Sequence, residues 1–189
     1  YGIGEKGKYC TEESELRPVS SYGKQKVELE KIYQSNNSSI SLRLATVFGP
    51  SPRMRTDLLV NDFVLRAIRD KCIVLFEANF SRNYIHIDDV CNAFIFSLNN
   101  FDNMKNQAYN VGLSSANLTK KELCLEIKKQ IKYEIISSDI GEDPDKRDYI
   151  VSNDKIEKLG WKPNKTIEIG IEELIKLYKI INLSSFSNY

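Results

Sequence analysis

The stretch ISLRLATVFG (40–49) constrains this chain most. It is largely apolar, rich in β-branched residues and too short for a buried helix, so it reads as a strand buried on both faces. Such a strand needs helices above and below it, and the flanking sequence supplies helical patterns. From Ser20, the residues Val27, Leu29, Ile32 and Tyr33 provide apolar positions, Ser20 or Ser21 can cap, and NNSS (36–39) terminates. On the other side, LLVNDFVLRAIRD predicts a second helix.

The alternation continues to the end of the chain. CIVLF (72–76), NYIHI (83–87), QAYNVGL (107–113) and YEIIS (133–137) read as strands. Between and after them, DDVCNAFIFSL, TKKELCLEIKKQI, SNDKIEKLGW and TIEIGIEELIKLYKII read as helices. Asp88 and Asp89 are expected to cap the first of these, Asn117 or Thr119 to open the second, and Gly160 to end the third. Residues 3–19 and the GEDPDKRD segment carry turn chemistry and predict loops. Strands alternating with helices, with no internal repeat, predict an α/β layer architecture.

Charge and cysteine usage narrow the function classes. The net charge is +1 with acids and bases interspersed, which argues against electrostatic binding to nucleic acid or anionic lipid. No apolar run approaches the roughly 20 residues of a membrane span. Cys10, Cys72, Cys91 and Cys124 are far apart and form no C-x-x-C pair, as expected of reduced thiols in a cytoplasmic protein. With a single histidine, His86, a zinc site or a histidine-based triad is disfavoured, and its apolar strand setting predicts a hydrogen-bonded structural role. No G-x-G-x-x-G turn, the usual dinucleotide clamp, occurs in these residues.

One short pattern carries chemistry. In SSYGKQKVELEKIY (20–33), Tyr22 and Lys26 stand four apart, which on a helix places them on one face with Cβ atoms about 5–6 Å apart. Alone, the pair reads either as an acid/base couple or as an aromatic and a charge sharing a helix surface. A nearby ammonium favours the phenolate and eases proton exchange with a sugar hydroxyl or carbonyl.

The surrounding segments resemble the NAD-dependent epimerase/dehydratase family, the extended short-chain dehydrogenase/reductases that act on nucleotide sugars. Tyr1-Gly2 looks like the end of the family's S-x-x-x-Y-G motif, and TEESELRPVSSYGKQKVELE like the approach to its Y-x-x-x-K helix. SLRLATVFGP, RNYIHIDDV, AYNVGLSSANLTKKEL and DPDKRDYIVSNDKIEKLGWKP are similar to the later motifs, in the same order.

The resemblance implies the C-terminal portion of a Rossmann-type doubly wound sheet plus a small α/β substrate-binding lobe. Residues 1–189 then form a single partial domain: about 1–50 the end of the Rossmann part with the Y-x-x-x-K helix, about 51–189 mainly the substrate lobe with returning Rossmann elements. It implies Tyr22 as acid/base and Lys26 as holder of the nicotinamide ribose, with NAD favoured over NADP. Arg82 and Arg147 match the arginines that grip a nucleoside-diphosphate sugar, in keeping with the bidentate fit of guanidinium to phosphate. Asn61 is expected as a further diphosphate ligand, and Val74 and Phe76 as lining for the base. Thr46 takes a position where the family often has asparagine, next to the substrate or nicotinamide. Arg53 and Arg55 lie in a loop that could cover the substrate or simply be solvated.

The implied activity is epimerisation of a nucleotide sugar, with 4,6-dehydration or keto-sugar reduction as alternatives sharing every motif. A homodimer through the Y-x-x-x-K helix is expected of the parent. The family's glycine-rich half and its catalytic serine or threonine fall before residue 1. A non-catalytic sugar-nucleotide-binding fragment is therefore the rival from another class. The 189 residues alone are expected to bind NAD(H) poorly and to turn over nothing detectable.

Overall fold

A computed structural model describes residues 4–5, 7–36, 38–138 and 147–181. The expectations resting on Tyr1-Gly2 and on most of the GEDPDKRD loop lie outside these residues. In chain order the elements are β1 (Tyr9–Cys10), α1 (Ser21–Ser35), β2 (Ile40–Leu44), β3 (Thr46–Phe48), α2 (Leu59–Arg69), β4 (Cys72–Leu75) and β5 (Ser81–His86). They continue with α3 (Ile87–Asn99), α4 (Phe101–Met104), β6 (Gln107–Val111), β7 (Asn117–Thr119) and α5 (Lys120–Lys128). The last are β8 (Glu134–Ser137), β9 (Ile150–Val151), α6 (Asp154–Glu157) and α7 (Ile167–Ile180). The architecture is mixed α/β with parallel pairing, as the alternation predicts.

The 40–49 segment is not one strand buried on both faces. It divides at Ala45. Before that point β2 runs parallel to β6, with Leu42 opposite Tyr109; after it β3 runs parallel to β5, with Thr46 opposite Tyr84. The Ala45 N–H donates to Val111 O (2.9 Å), and the Leu113 N–H donates to Tyr84 O (2.9 Å), so the two ladders are stitched where the chain changes partner. Most of β2 is only half-buried and Leu44 is exposed, because α1 covers one part of one face. Elsewhere β5 pairs antiparallel with β7, β4 parallel with β8 and β1 parallel with β9. The short strands β1, β7 and β9 carry no periodicity for a sequence reading to detect.

Two hydrophobic clusters result. The larger one draws Val60, Val64, Leu123, Ile127, Ile171 and Leu174 from α2, α5 and α7 against Ile73 and Leu75 of β4. The smaller one joins Val90 and Ala93 of α3 to Tyr109 and Val111 of β6, with Ile156 and Trp161 closing it. Between them sits His86, buried, whose Nδ1 caps α3 by accepting from the Asp88 N–H (3.2 Å) and whose ring meets Phe48 edge-on. Its Nε2 stands 3.0 Å from Glu173 Oε2. Gly49, at φ +113°, lies so close that a Cβ there would run into the imidazole.

Capping departs from expectation at one helix. Ser20 caps α1 and Thr119 caps α5, the latter in a reciprocal box with Glu122. Asp88 and Asp89, however, lie in the first turn of α3 after the His86 cap, and the Asp89 carboxylate instead accepts from the backbone N–H groups of Asn164 and Lys165. No described helix is long and apolar enough to cross a membrane.

Candidate active site

Helix α1 positions the Tyr22–Lys26 pair. Ser20 Oγ accepts from the Gly23 N–H (3.1 Å), which starts the helix one residue before the tyrosine. The buried face of α1 is Gly23, Val27 and Glu30, spaced as one helical stripe; of the expected apolar set Val27 is buried, whereas Leu29, Ile32 and Tyr33 point outward. What docks the helix is an ion pair with no apolar signature. Arg43 of β2 forks onto Glu30, Nε to Oε2 at 3.0 Å and Nη2 to Oε1 at 2.6 Å, and its Nη1 donates to Glu12 O. The Glu12 carboxylate in turn accepts from the Asn110 N–H of β6 (2.7 Å). This network fixes the roll of α1, and with it the direction of Tyr22, which is 67% exposed.

Lys26 Nζ lies 5.3 Å from the centre of the Tyr22 ring. The two line a hollow of about 300 Å³ with Leu42, Arg43, Leu44, Arg147 and Tyr149. A second hollow, of about 230 Å³, is lined by Thr46, Asp57, Leu58, Leu59, Asp62, Arg82, Lys120 and Arg147. Arg147 belongs to both.

The fold explains how the two arginines meet. Asp148 accepts from the Ser81 N–H (2.8 Å), and the Tyr149 N–H donates to Ser81 O (3.2 Å), which pins residue 147 beside the start of β5. Arg82, the next residue on β5, is buried, with its guanidinium 5.6 Å from the centre of the Tyr149 ring.

The other expected site residues lie on α2 and around β4. Asn61 is buried at α2 and both ends of its amide are used: Oδ1 accepts from the Gly49 N–H (3.1 Å) and Nδ2 donates to Arg55 O (2.8 Å). It pins the loop between β3 and α2. Val74 is exposed on β4 and Phe76 is half-buried in the turn that follows, and neither lines the two hollows. Arg55 is paired with Asp57. Residues that the sequence reading did not single out, namely Arg43, Lys120 and Tyr149, do line them; a charged residue inside the apolar run of β2 was the available signal for Arg43.

The model of the NAD dependent epimerase/dehydratase family matches residues 1–112, more than half of the chain. The chain belongs to that family. Among curated relatives, a low-salt glycan biosynthesis protein, Agl12, of Haloferax volcanii is 26% identical over 188 residues, covering 94% of this chain and 58% of its own length. The dTDP-4-dehydro-6-deoxyglucose reductase of Escherichia coli is 29% identical over 178 residues, covering 88% and 54%. The chain thus spans little more than half the length of these relatives. Among solved structures of epimerase/dehydratase type, the UDP-glucose 4-epimerase of Thermus thermophilus in complex with NAD superposes with a TM-score of 0.77 at 22% identity, over 95% of this chain and 60% of that one. RMD from Pseudomonas aeruginosa, complexed with NADPH, gives 0.77 at 19% identity, over 93% and 61%.

For a nicotinamide dinucleotide the donor set fits at one end. Tyr22 and Lys26 present a phenol and an ammonium into one hollow. Among the described residues no glycine-rich strand-to-helix turn is present to receive the pyrophosphate.

Proposed function

We propose that this chain carries the proton-transfer helix and the substrate-binding lobe of a nucleotide-sugar-modifying enzyme that uses NAD(P), with epimerisation favoured. The observation that supports this most is the junction of two hollows at Arg147. One holds Tyr22 and Lys26; the other holds Thr46 and Arg82. A nucleoside-diphosphate sugar laid across the junction puts its sugar at the phenol and its phosphates at the two guanidinium groups, which bind phosphate oxygens in a charge-assisted fork.

In this reading the Tyr22 hydroxyl exchanges a proton with a sugar oxygen, worth roughly 10²–10⁴ in rate for a positioned acid/base. Lys26 holds the ribose beside it. Thr46, at the start of β3, borders the same path. The dinucleotide, when bound, supplies or accepts hydride at the sugar carbon. Asn61 acts indirectly by fixing the Gly49–Arg55 loop, while Val74 and Phe76 remain the candidate wall for the base. The exposed stripe of Leu29, Ile32 and Tyr33 on α1 supports a homodimer through that helix. The four free cysteines agree with a reducing, cytoplasmic setting.

The likeness to a dTDP-4-dehydro-6-deoxyglucose reductase favours keto-sugar reduction as the second reading. Assaying the full-length protein with NAD⁺ or NADPH against UDP-, GDP-, CDP- and dTDP-sugars separates them. An inverted sugar carbon with no net redox change supports epimerisation, and stoichiometric NADPH consumption supports the reductase. A folded protein that binds nucleoside diphosphates and converts no sugar is a binding module. For the 189 residues alone, micromolar NADH binding by fluorescence titration would overturn the expectation of poor cofactor affinity.

A further inference from the structure

The imidazole of His86 is 1% exposed and lies against two glycines, Gly49 just after β3 and Gly170 on α7. A Cβ on Gly49 would run into the ring, and one on Gly170 would meet both the ring and Phe48. Its Nδ1 is occupied by the Asp88 N–H, and a neutral imidazole that accepts there carries its proton on Nε2. That proton is buried. Glu173 Oε2 stands 3.0 Å away, but the two lack the alignment of a hydrogen bond. A neutral polar group left this way is costly, whereas attraction between ions needs no such alignment.

The groups facing the ring are ready for its charged form. Besides Glu173 of α7, α3 contributes Asp88, whose Oδ2 lies 3.8 Å from Nδ1. Lys165, just before α7, bonds Glu173 and stands 4.0 Å from Asp88, while β3 and the residue after it bring only Phe48 and Gly49, which do not titrate. Asp89 is turned away, its carboxylate taken by the backbone of Asn164 and Lys165. Two carboxylates favour a charged ring and burial opposes it.

A second proton, taken from solvent, has only Nδ1 to occupy and turns that atom from acceptor to donor. It then meets the Asp88 N–H donor to donor, so the cap on α3 is lost and the Asp88 carboxylate becomes the acceptor within reach. Any movement of the ring presses on Gly49. The Gly49 N–H holds Asn61 Oδ1, and Asn61 Nδ2 holds Arg55 O, in the loop that supplies Asp57 and Leu58 to the second hollow. We propose that His86 is a proton-operated positioning residue for this loop: neutral, it caps α3 and seats Gly49; protonated, it exchanges the cap for the Asp88 carboxylate and shifts residues 49–58.

The test is an NMR titration of the full chain between about pH 8 and pH 5, the range in which histidine changes charge. It follows the His86 ring, assigned by its loss in His86→Gln, and the backbone amides of Asp88 and Gly49. In wild type both amides shift with the midpoint of the ring, and in His86→Gln they lose that shared transition. Glu173→Gln lowers the midpoint by about one pH unit, or tenfold in proton affinity, and Asp88→Asn lowers it by less, because Asp88 is more exposed. A ring that titrates while both amides stay still overturns the proposal, as does a ring that gains no proton by pH 5. A midpoint indifferent to both carboxylate substitutions also overturns it. Should His86→Gln fail to fold in a thermal melt, the ring is assigned through its own couplings, and the two carboxylate variants decide.

Discussion

The half of the molecule built on α2, α5 and α7 and the half built on α1 and β2 solve burial in opposite ways. The first encloses Val60, Val64, Leu123, Ile127, Ile171 and Leu174 completely and needs no charged contact at its centre. The second leaves Leu29, Ile32, Tyr33 and Leu44 exposed and attaches its helix through Glu30 and Arg43. An apolar core tolerates small rotations of a helix, whereas a bidentate ion pair fixes the roll. The half whose helix carries Tyr22 is the half held by the directional bond.

Substitutions can break or sharpen this contrast. The largest effect is expected at the open half's chemistry: Tyr22→Phe in the full-length protein lowers turnover by about 10²–10⁴ while the melting temperature stays put, since the hydroxyl belongs to an exposed side chain. Removing the directional bond comes next. Glu30→Gln takes the carboxylate away from the half-buried Arg43 guanidinium and costs about 3–5 kcal/mol in denaturant unfolding, with a loss of activity as α1 rolls. In the closed half, Leu174→Ala costs about 2–5 kcal/mol by leaving a cavity but leaves the catalytic pH profile unchanged. An equal effect of the last two on turnover at permissive temperature would erase the distinction.

Smaller effects test the fine structure. Tyr84 is fully buried, and its hydroxyl finds no hydrogen-bond partner among the described residues; burial pushes its ionisation far up. Tyr84→Phe should therefore be neutral or stabilise by about 1 kcal/mol in the same unfolding assay. Cys124 is buried, which raises its thiol to about 11 against the opposing bond from Tyr133, so iodoacetamide at pH 8 should label exposed Cys91 and spare Cys124.

The smallest expected signal is at Glu173. Desolvation works against its ionisation, but the hydrogen bond from Lys165 and the proximity of His86 outweigh it and hold the carboxyl below its ordinary 4.5. A depressed folded-state value means that its stabilisation is complete above that pH and is lost as the pH falls through the folded value. Glu173→Gln should flatten the acid limb of the stability curve.

Much of the layer order was legible because α2, α5 and α7 carry helical periodicity and β4 to β6 carry short apolar runs. The roll of α1 was not. Its apolar residues fall on the outward face, and the partner that buries Glu30 lies thirteen positions away on another element, a relation no local pattern records. The same holds for Asp89, an apparent cap whose carboxylate serves backbone 75 and 76 residues further on. At the candidate site, Tyr22, Lys26, Thr46, Arg82 and Arg147 could be named because motif order carries them. The loop-pinning role of Asn61 was not legible, because an asparagine that pins a loop looks like any other until its two backbone partners are seen. Lys120 was hidden as one of several charges in KKEL.

The change of partner at Ala45 has a consequence for selectivity. Leu44 borders one hollow and Thr46 the other, two residues apart on either side of the break between β2 and β3, or roughly 7 Å of extended chain. That interval is a gauge cut into the backbone, with hydrogen bonds to a different neighbour on each side of the mark. On the proposed function, a ligand whose reacting carbon and phosphates are separated by another length cannot be seated by sliding, since neither ladder can slip without the other.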